Sequence, residues 1–145
     1  MHIEIRDRPF DPLAELKRYQ DSLSALTGKY GATALFIGTM RDMNEGDQVT
    51  SMTLEHYPVM TERHVHHIVE EAKGRWDLLD ALVLHRVGAL HPNDPIVLVA
   101  VWTTHRAEAF NACRFIMENL KAKAPFWKKE TLADGERWVE KNTEG

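Results

Sequence analysis

Cysteine is nearly missing: Cys113 is the only one among 145 residues. No internal disulfide can form, and a reducing compartment is expected. Long apolar runs are missing too. No stretch reaches the roughly 18 residues that read as a bilayer-spanning helix. The N-terminal "MHIEIRDRPF" has no apolar centre of signal-peptide length. The expected location is therefore cytoplasmic, away from membranes. Excess positive charge is also lacking, because 18 Lys and Arg face 22 Asp and Glu for a net charge of −4. Such a chain is no general polyanion binder, so any anion site has to be local. Repeats, low-complexity tracts and linkers are absent. The length fits one domain, residues 1–145.

The apolar pattern outlines the elements. His2–Arg6 reads as a strand, with Ile3 and Ile5 alternating with polar residues. Residues 11–26 read as a helix, N-capped by Asp11, with Pro12 in its first turn and Gly28 to end it. "GATALFIGTM", residues 31–40, reads as a buried strand. "VTSMTLEHY", residues 49–57, is expected to run antiparallel to it. Pro58 opens a helix to about Trp76, with Val65, Ile68, Val69, Ala72 and Trp76 on one face. "LLDALVLHRVGAL" and "PIVLVAVWTT" read as a long antiparallel strand pair. Thr104 is expected to cap a helix over 106–122, whose Phe110, Cys113, Ile116, Met117 and Leu120 face the core. Pro125 forces Ala124 out of helical geometry and stops that helix. "PFWKK" continues as extended chain or loop, and "ADGERWVE" gives a turn and a last short element. This order predicts α+β rather than a doubly wound sheet.

Positive charge concentrates late in the chain. Residues 105–130 hold six Lys and Arg (106, 114, 121, 123, 128, 129) against Glu108, Glu118 and Glu130, a local +3 that leaves −7 for the rest. "TTHRAEAF" puts His105 and Arg106 where a strand turns into a helix, a place whose free N–H groups attract anions. Arg106 suits bidentate phosphate binding; simple solvation of both residues is the other reading, and spacing alone leaves both open. Lys121, in a last helical turn, is explained by the helix dipole alone. Lys128 follows seven residues later, past Pro125. If the chain reverses there, the two ammonium groups approach, and crowding with burial would lower a lysine pKa enough to make a base or nucleophile. Arg41 opens the loop after a strand, where ligand-binding side chains often sit, although a solvated arginine would look the same. His64, His66 and His67 invite a metal reading. His64 and His66 flank the buried face on opposite sides and His67 points away, so solvated histidines are the better reading. His85, inside a strand, reads as a hydrogen-bonded core histidine, and Cys113 as core.

Several segments in order carry a resemblance: "TLEHYPVMTE", "HRVGAL", "TTHRAEAF", "FIMENLKAKAPFWKKE" and "ADGERWVE". From about residue 30 to 141 the chain resembles the large, catalytic subunit of molybdopterin synthase. The first 28 residues match loosely, and "LHPNDP" departs from the family's loop by His91 and Asn93. The resemblance implies an α/β-hammerhead-like fold with antiparallel sheets and a homodimer at the centre of a heterotetramer. It implies a small ubiquitin-like sulfur-carrier partner, whose C-terminal Gly-Gly bears a thiocarboxylate. Two sulfurs pass to cyclic pyranopterin monophosphate to make the molybdopterin dithiolene, with no metal and no cofactor. By position, Lys121 and Lys128 match the catalytic lysines. Arg41, His105 and Arg106 match substrate-anion residues, and Phe36, Met117 and Glu130 match positions that line or support the pocket. A basic residue from the neighbouring subunit, Arg137 or Lys141, is a further expectation. The rival reading is a non-enzymatic anion or nucleic-acid-binding module built on the 121–129 cluster, with Trp127 stacking on a base. The acidic total and the absence of a nucleic-acid signature argue against it.

Overall fold

Alternating Ile3 and Ile5 make His2–Arg6 the first strand, β1, of a computed structural model that describes residues 1–139. It is followed by α1 (Pro12–Asp21), β2 (Ala32–Thr39), β3 (Met43–Asn44), β4 (Asp47–His56) and α2 (Pro58–Arg75). Then come β5 (Leu78–Arg86), β6 (Gly88–Leu90), β7 (Pro95–Thr103), α3 (Arg106–Lys123), β8 (Phe126–Leu132) and β9 (Gly135–Trp138). Two sheets form. The first runs β1-β5-β7-β2, and its β1–β5 pair is parallel while its other pairs are antiparallel. The second runs β3-β4-β8-β9, with β6 also on β4, all antiparallel. Gly88, at φ +88°, lets the chain leave β5 and enter the second sheet as β6. The class is α+β, as expected, with three α-helices beside the two sheets among the described residues.

The first sheet buries both faces. Ala81, Val83, Val97, Val99 and Val101 pack under α2 and α3, which contribute Val65, Ile68, Val69, Ala112, Ile116 and Leu120. Leu82, Leu84, Leu98 and Trp102 face the other way, against α1 and Phe10. Full burial of such side chains stabilises by about 1.5–3 kcal/mol each. A third cluster, Met40, Val49, Met52, Leu54, Val87 and Leu90, lies under the second sheet, and Ile5 touches it as well as the α2–α3 layer. Among the described residues no helix is long and apolar enough to cross a membrane.

Five local expectations are corrected. The first helix is shorter: Ser22 donates its hydroxyl to Tyr19 O at 2.5 Å, α1 stops at Asp21, and only a 3-10 turn, Ser24–Leu26, follows. The strand at 31–40 is not buried, because β2 is a sheet edge, where Leu35 and Phe36 are 42% and 40% exposed. Residues 49–57 do not pair with β2. They cross to the second sheet and pair with β8, while β2 pairs with β7. The residue at the N-cap of α3 is His105, not Thr104, and the hydroxyl that locks this corner is Thr103, donating to His105 O at 2.6 Å. Phe110 is 68% exposed, because the buried stripe of α3 runs through Ala109, Ala112, Cys113, Ile116, Met117 and Leu120 and leaves it at the margin.

Candidate active site

Pro125 sets the site's geometry. Ala124 is extended (φ −71°, ψ 139°), so α3 ends with Lys121 in its last turn and the chain re-emerges as β8. Side chains alternate along a strand. Phe126, Lys128 and Glu130 therefore face one way, into a cavity of about 780 Å³. Trp127 and Lys129 face the other way, Trp127 edge-on to Tyr57 at 4.9 Å and Lys129 paired with Glu136 at 2.7 Å. The cavity lies between the two sheets and the end of α3. Its wall includes Phe36, Gly38 and Arg41 from β2 and its loop, Met43, Asn44 and Glu45 from the β3–β4 hairpin, and Met117 and Lys121 from α3. Gly38 is required there: a Cβ would sit 2.7 Å from Val97 Cγ1 and 3.2 Å from the Phe36 ring.

Three cations share this space. Burial lowers the Lys121 pKa below the ordinary lysine value, and the Arg41 charge lowers it further. Burial also lowers Lys128, and Lys121 and Arg41 add to the effect while Glu130 opposes it. Each amine is thus easier to deprotonate than a surface lysine. His85, 7% exposed, forms part of the same wall. Its ring stacks on Phe126 at 4.0 Å and 12°, and its Nδ1 lies 2.7 Å from Arg86 O. Burial pushes its pKa from 6.5 to about 4, and the Lys128, His56 and Lys121 charges add to that shift.

His85 makes stability depend on pH. The unfolded histidine takes up a proton near 6.5, the folded one near 4. Its contribution is complete above 6.5 and is lost as pH falls towards 4. The difference between urea midpoints at pH 7 and pH 5 should therefore be smaller in His85→Phe, which keeps an aromatic face for Phe126, than in the native protein.

The cavity gathers six of the eight positions singled out by sequence: Phe36, Arg41, Met117, Lys121, Lys128 and Glu130. His105 and Arg106 are not in its wall. They are exposed at the opposite end of α3, and fifteen residues of helix put Arg106 about 22 Å from Lys121 along the axis. Arg137, expected as a residue for a neighbouring subunit, is engaged within its own chain by Glu130 and Asp47. Lys141 lies outside the described residues. Sequence reasoning took His85 for a core histidine, which it is, but missed its place in the cavity wall. Asn44, also in the wall, donates to both Glu130 oxygens at 3.2 and 3.0 Å, a contact that nothing local in the sequence signals. Alternation along "FWKKE" was the available signal for the inward trio. Among the described residues, no three His, Cys, Asp or Glu side chains are grouped to hold a metal ion, and His64, His66 and His67 are exposed. Cys113 is buried, and burial pushes its thiol up to about 11, so it is not a thiolate at neutral pH.

The family described as MoaE protein matches residues 5–123. The chain belongs to the MoaE family. Among curated MoaE-like relatives, the molybdopterin synthase catalytic subunit of Ralstonia nicotianae is 55% identical over 138 residues, covering 95% of this chain and 76% of the relative. That of Pasteurella multocida is 48% identical over 140 residues, covering 97% and 90%. A solved molybdopterin biosynthesis MoaE protein from Burkholderia ambifaria superposes with a TM-score of 0.79 at 46% identity, over 99% of this chain and 92% of the other. Molybdopterin synthase from Staphylococcus aureus gives 0.83 at 28% identity, over 96% and 97%. The mixed fold of helices and antiparallel sheets is thus one this chain shares with solved MoaE and molybdopterin synthase structures.

Proposed function

We propose that this chain is the catalytic subunit of a molybdopterin synthase and acts as a sulfurtransferase. It would insert two sulfurs into cyclic pyranopterin monophosphate. The sulfur would come from the C-terminal thiocarboxylate of a small ubiquitin-like partner ending in Gly-Gly. The observation that carries the reading is the pair Lys121 and Lys128, both with lowered pKa, facing one cavity with Arg41. The names of relatives at 55% and 48% identity support it. Residues 1–145 act in this reading as one domain.

The chemistry follows from the charges. The substrate carries a phosphate and the donor is an anion, so bringing them together needs cations in a sheltered space. Arg41 orients the pterin. The thiocarboxylate sulfur attacks a side-chain carbon of the pterin as that carbon's bond to oxygen breaks and the oxygen leaves with a proton. The partner's tail is then held as an acyl group through the sulfur, and water cleaves the S–acyl bond, which releases the tail as a carboxylate and leaves the sulfur on the pterin. Lys121 moves protons at the attacked carbon and stabilises the acyl intermediate. Burial and Arg41 keep the Lys121 amine depressed, and Lys128, itself depressed by burial and by Lys121, offsets developing oxyanion charge. Cys113, buried and protonated, is unsuited to carry sulfur, which fits a donor supplied by a partner.

A role for His105 and Arg106 at this cavity calls for a second copy, given their distance from Lys121 within one chain. The homodimer expected from the resemblance supplies one. β2 has an open edge, and α3 runs alongside it from the Ala32 end, where Gly31 N–H bonds Thr103 O at 3.0 Å, to the cavity end. A copy paired antiparallel along that edge would set its own His105 and Arg106 beside Thr39 and Arg41.

The test is reconstitution. The chain, mixed with thiocarboxylated small subunit and the cyclic pterin, should yield dithiolene product. If no product forms and the chain instead binds nucleic acid with a steep salt dependence, the binding-module reading replaces this one. The inward position of Lys121 and Lys128 and the Lys129–Glu136 ion pair leave little of an outward basic stripe for such binding.

A further inference from the structure

Arg137 lies behind the reacting groups, yet each nitrogen of its guanidinium has a partner. Nε donates to Glu130 Oε1 at 2.9 Å, Nη1 to Asp47 Oδ2 at 2.7 Å, and Nη2 to the Asn44 carbonyl at 2.9 Å. Glu130, 5% exposed, is held from a second side by Asn44 Nδ2. The elements joined are β9, β8 and the β3–β4 hairpin. That hairpin turns through left-handed Glu45 (φ 52°) and Gly46 (φ 81°), and its Met43, Asn44 and Glu45 form a wall of the cavity.

The arrangement matters because of where Glu130 sits. It is two residues from Lys128 on the same face of β8, inside the same cavity, and so is the obvious counter-ion for that ammonium. Among the described residues the two form no ion pair. The carboxylate oxygens are occupied by Arg137 and Asn44 instead. A Lys128–Glu130 pair would hold the amine protonated and cancel the crowding of cations in the pocket.

We infer that Arg137 is a positioning residue: it holds the Glu130 carboxylate away from Lys128 and fastens the 43–47 hairpin as a wall of the cavity. Its value to turnover rests on the proposed role of Lys128, but the contact itself can be tested without turnover. The reactivity of the Lys128 amine towards trace acetic anhydride, followed across pH by peptide mass spectrometry, gives its titration midpoint with neither pterin nor partner present. Arg137→Met frees Glu130 and removes a nearby positive charge, and both effects raise the Lys128 midpoint, by about one pH unit. Adding Glu130→Gln to that variant removes the counter-ion and brings the midpoint back. Arg137→Lys, which keeps the charge, leaves it near the native value. Glu130→Gln alone, which spares the Arg137–Asp47 contact, lowers it and serves as the check should Arg137→Met fail to fold. An unchanged midpoint in Arg137→Met, or a rise that persists in the double variant, overturns the inference. A raised midpoint with undiminished dithiolene synthesis upholds the positioning and instead removes Lys128 from the reaction.

Discussion

Lys121→Ala abolishes dithiolene formation while the protein stays folded. Removal of a positioned proton-transfer group costs about 10²–10⁴-fold in rate, and here the same residue also stabilises the intermediate. The fold should not suffer. At neutral pH the Lys121 ammonium is held in surroundings that disfavour it, since burial and Arg41 both lower its pKa below 10.5. A group whose folded pKa is depressed contributes stability only above its unfolded value, so at pH 7 the proton on Lys121 works against folding. The melting temperature of the alanine variant should stay within a few degrees of native. Product is assayed with thiocarboxylated partner and cyclic pterin at saturating concentration. Near-native turnover would remove Lys121 from the mechanism, whereas a collapsed melting temperature would leave the loss a matter of folding.

Trp102→Ala has the largest expected effect on stability. Trp102 is fully buried on β7, between β5 and β2 in the first sheet. Its ring meets Tyr19 of α1 at a centroid distance of 5.5 Å, and its Nε1 donates to Gln20 Oε1 at 3.2 Å. Truncation leaves a void beneath α1 and deprives Gln20 of its donor. Substitutions of this kind cost about 3–5 kcal/mol, which for a chain of this size corresponds to a melting temperature about 10 °C lower. Trp102→Phe, which retains most of the volume, should lose less than half as much. Equal losses in the two variants would assign the stability to the Gln20 hydrogen bond rather than to packing. Differential scanning calorimetry on both proteins decides between these.

What was readable in the sequence was what local chemistry determines. Asp11 before Pro12, Pro58 at a helix start and Pro125 after a lysine-rich turn act through their own backbone restrictions, and each sits where it was expected. The Lys121–Lys128 approach followed from Pro125, because a helix that must stop lets the chain reverse. Properties that depend on distant neighbours were not readable. Leu35 and Phe36 look like core residues by composition, and only the strand order puts β2 at an edge. The separation of His105 and Arg106 from Lys121 within one chain was implicit in fifteen residues of unbroken helix. The engagement of Arg137 with Asp47 and Asn44, some ninety residues away in sequence, left no periodic trace.

Between the last residue of α3, Lys123, and the first of β8, Phe126, only Ala124 and Pro125 intervene. A strand presents alternate residues to alternate sides, so the parity of this connector decides which amine enters the hollow. One residue more or fewer would rotate Trp127 and Lys129 inward and turn Lys128 and Glu130 out to solvent. The connector can vary in composition far more readily than in length, and an insertion or deletion there would disable the enzyme while sparing every side chain the chemistry needs.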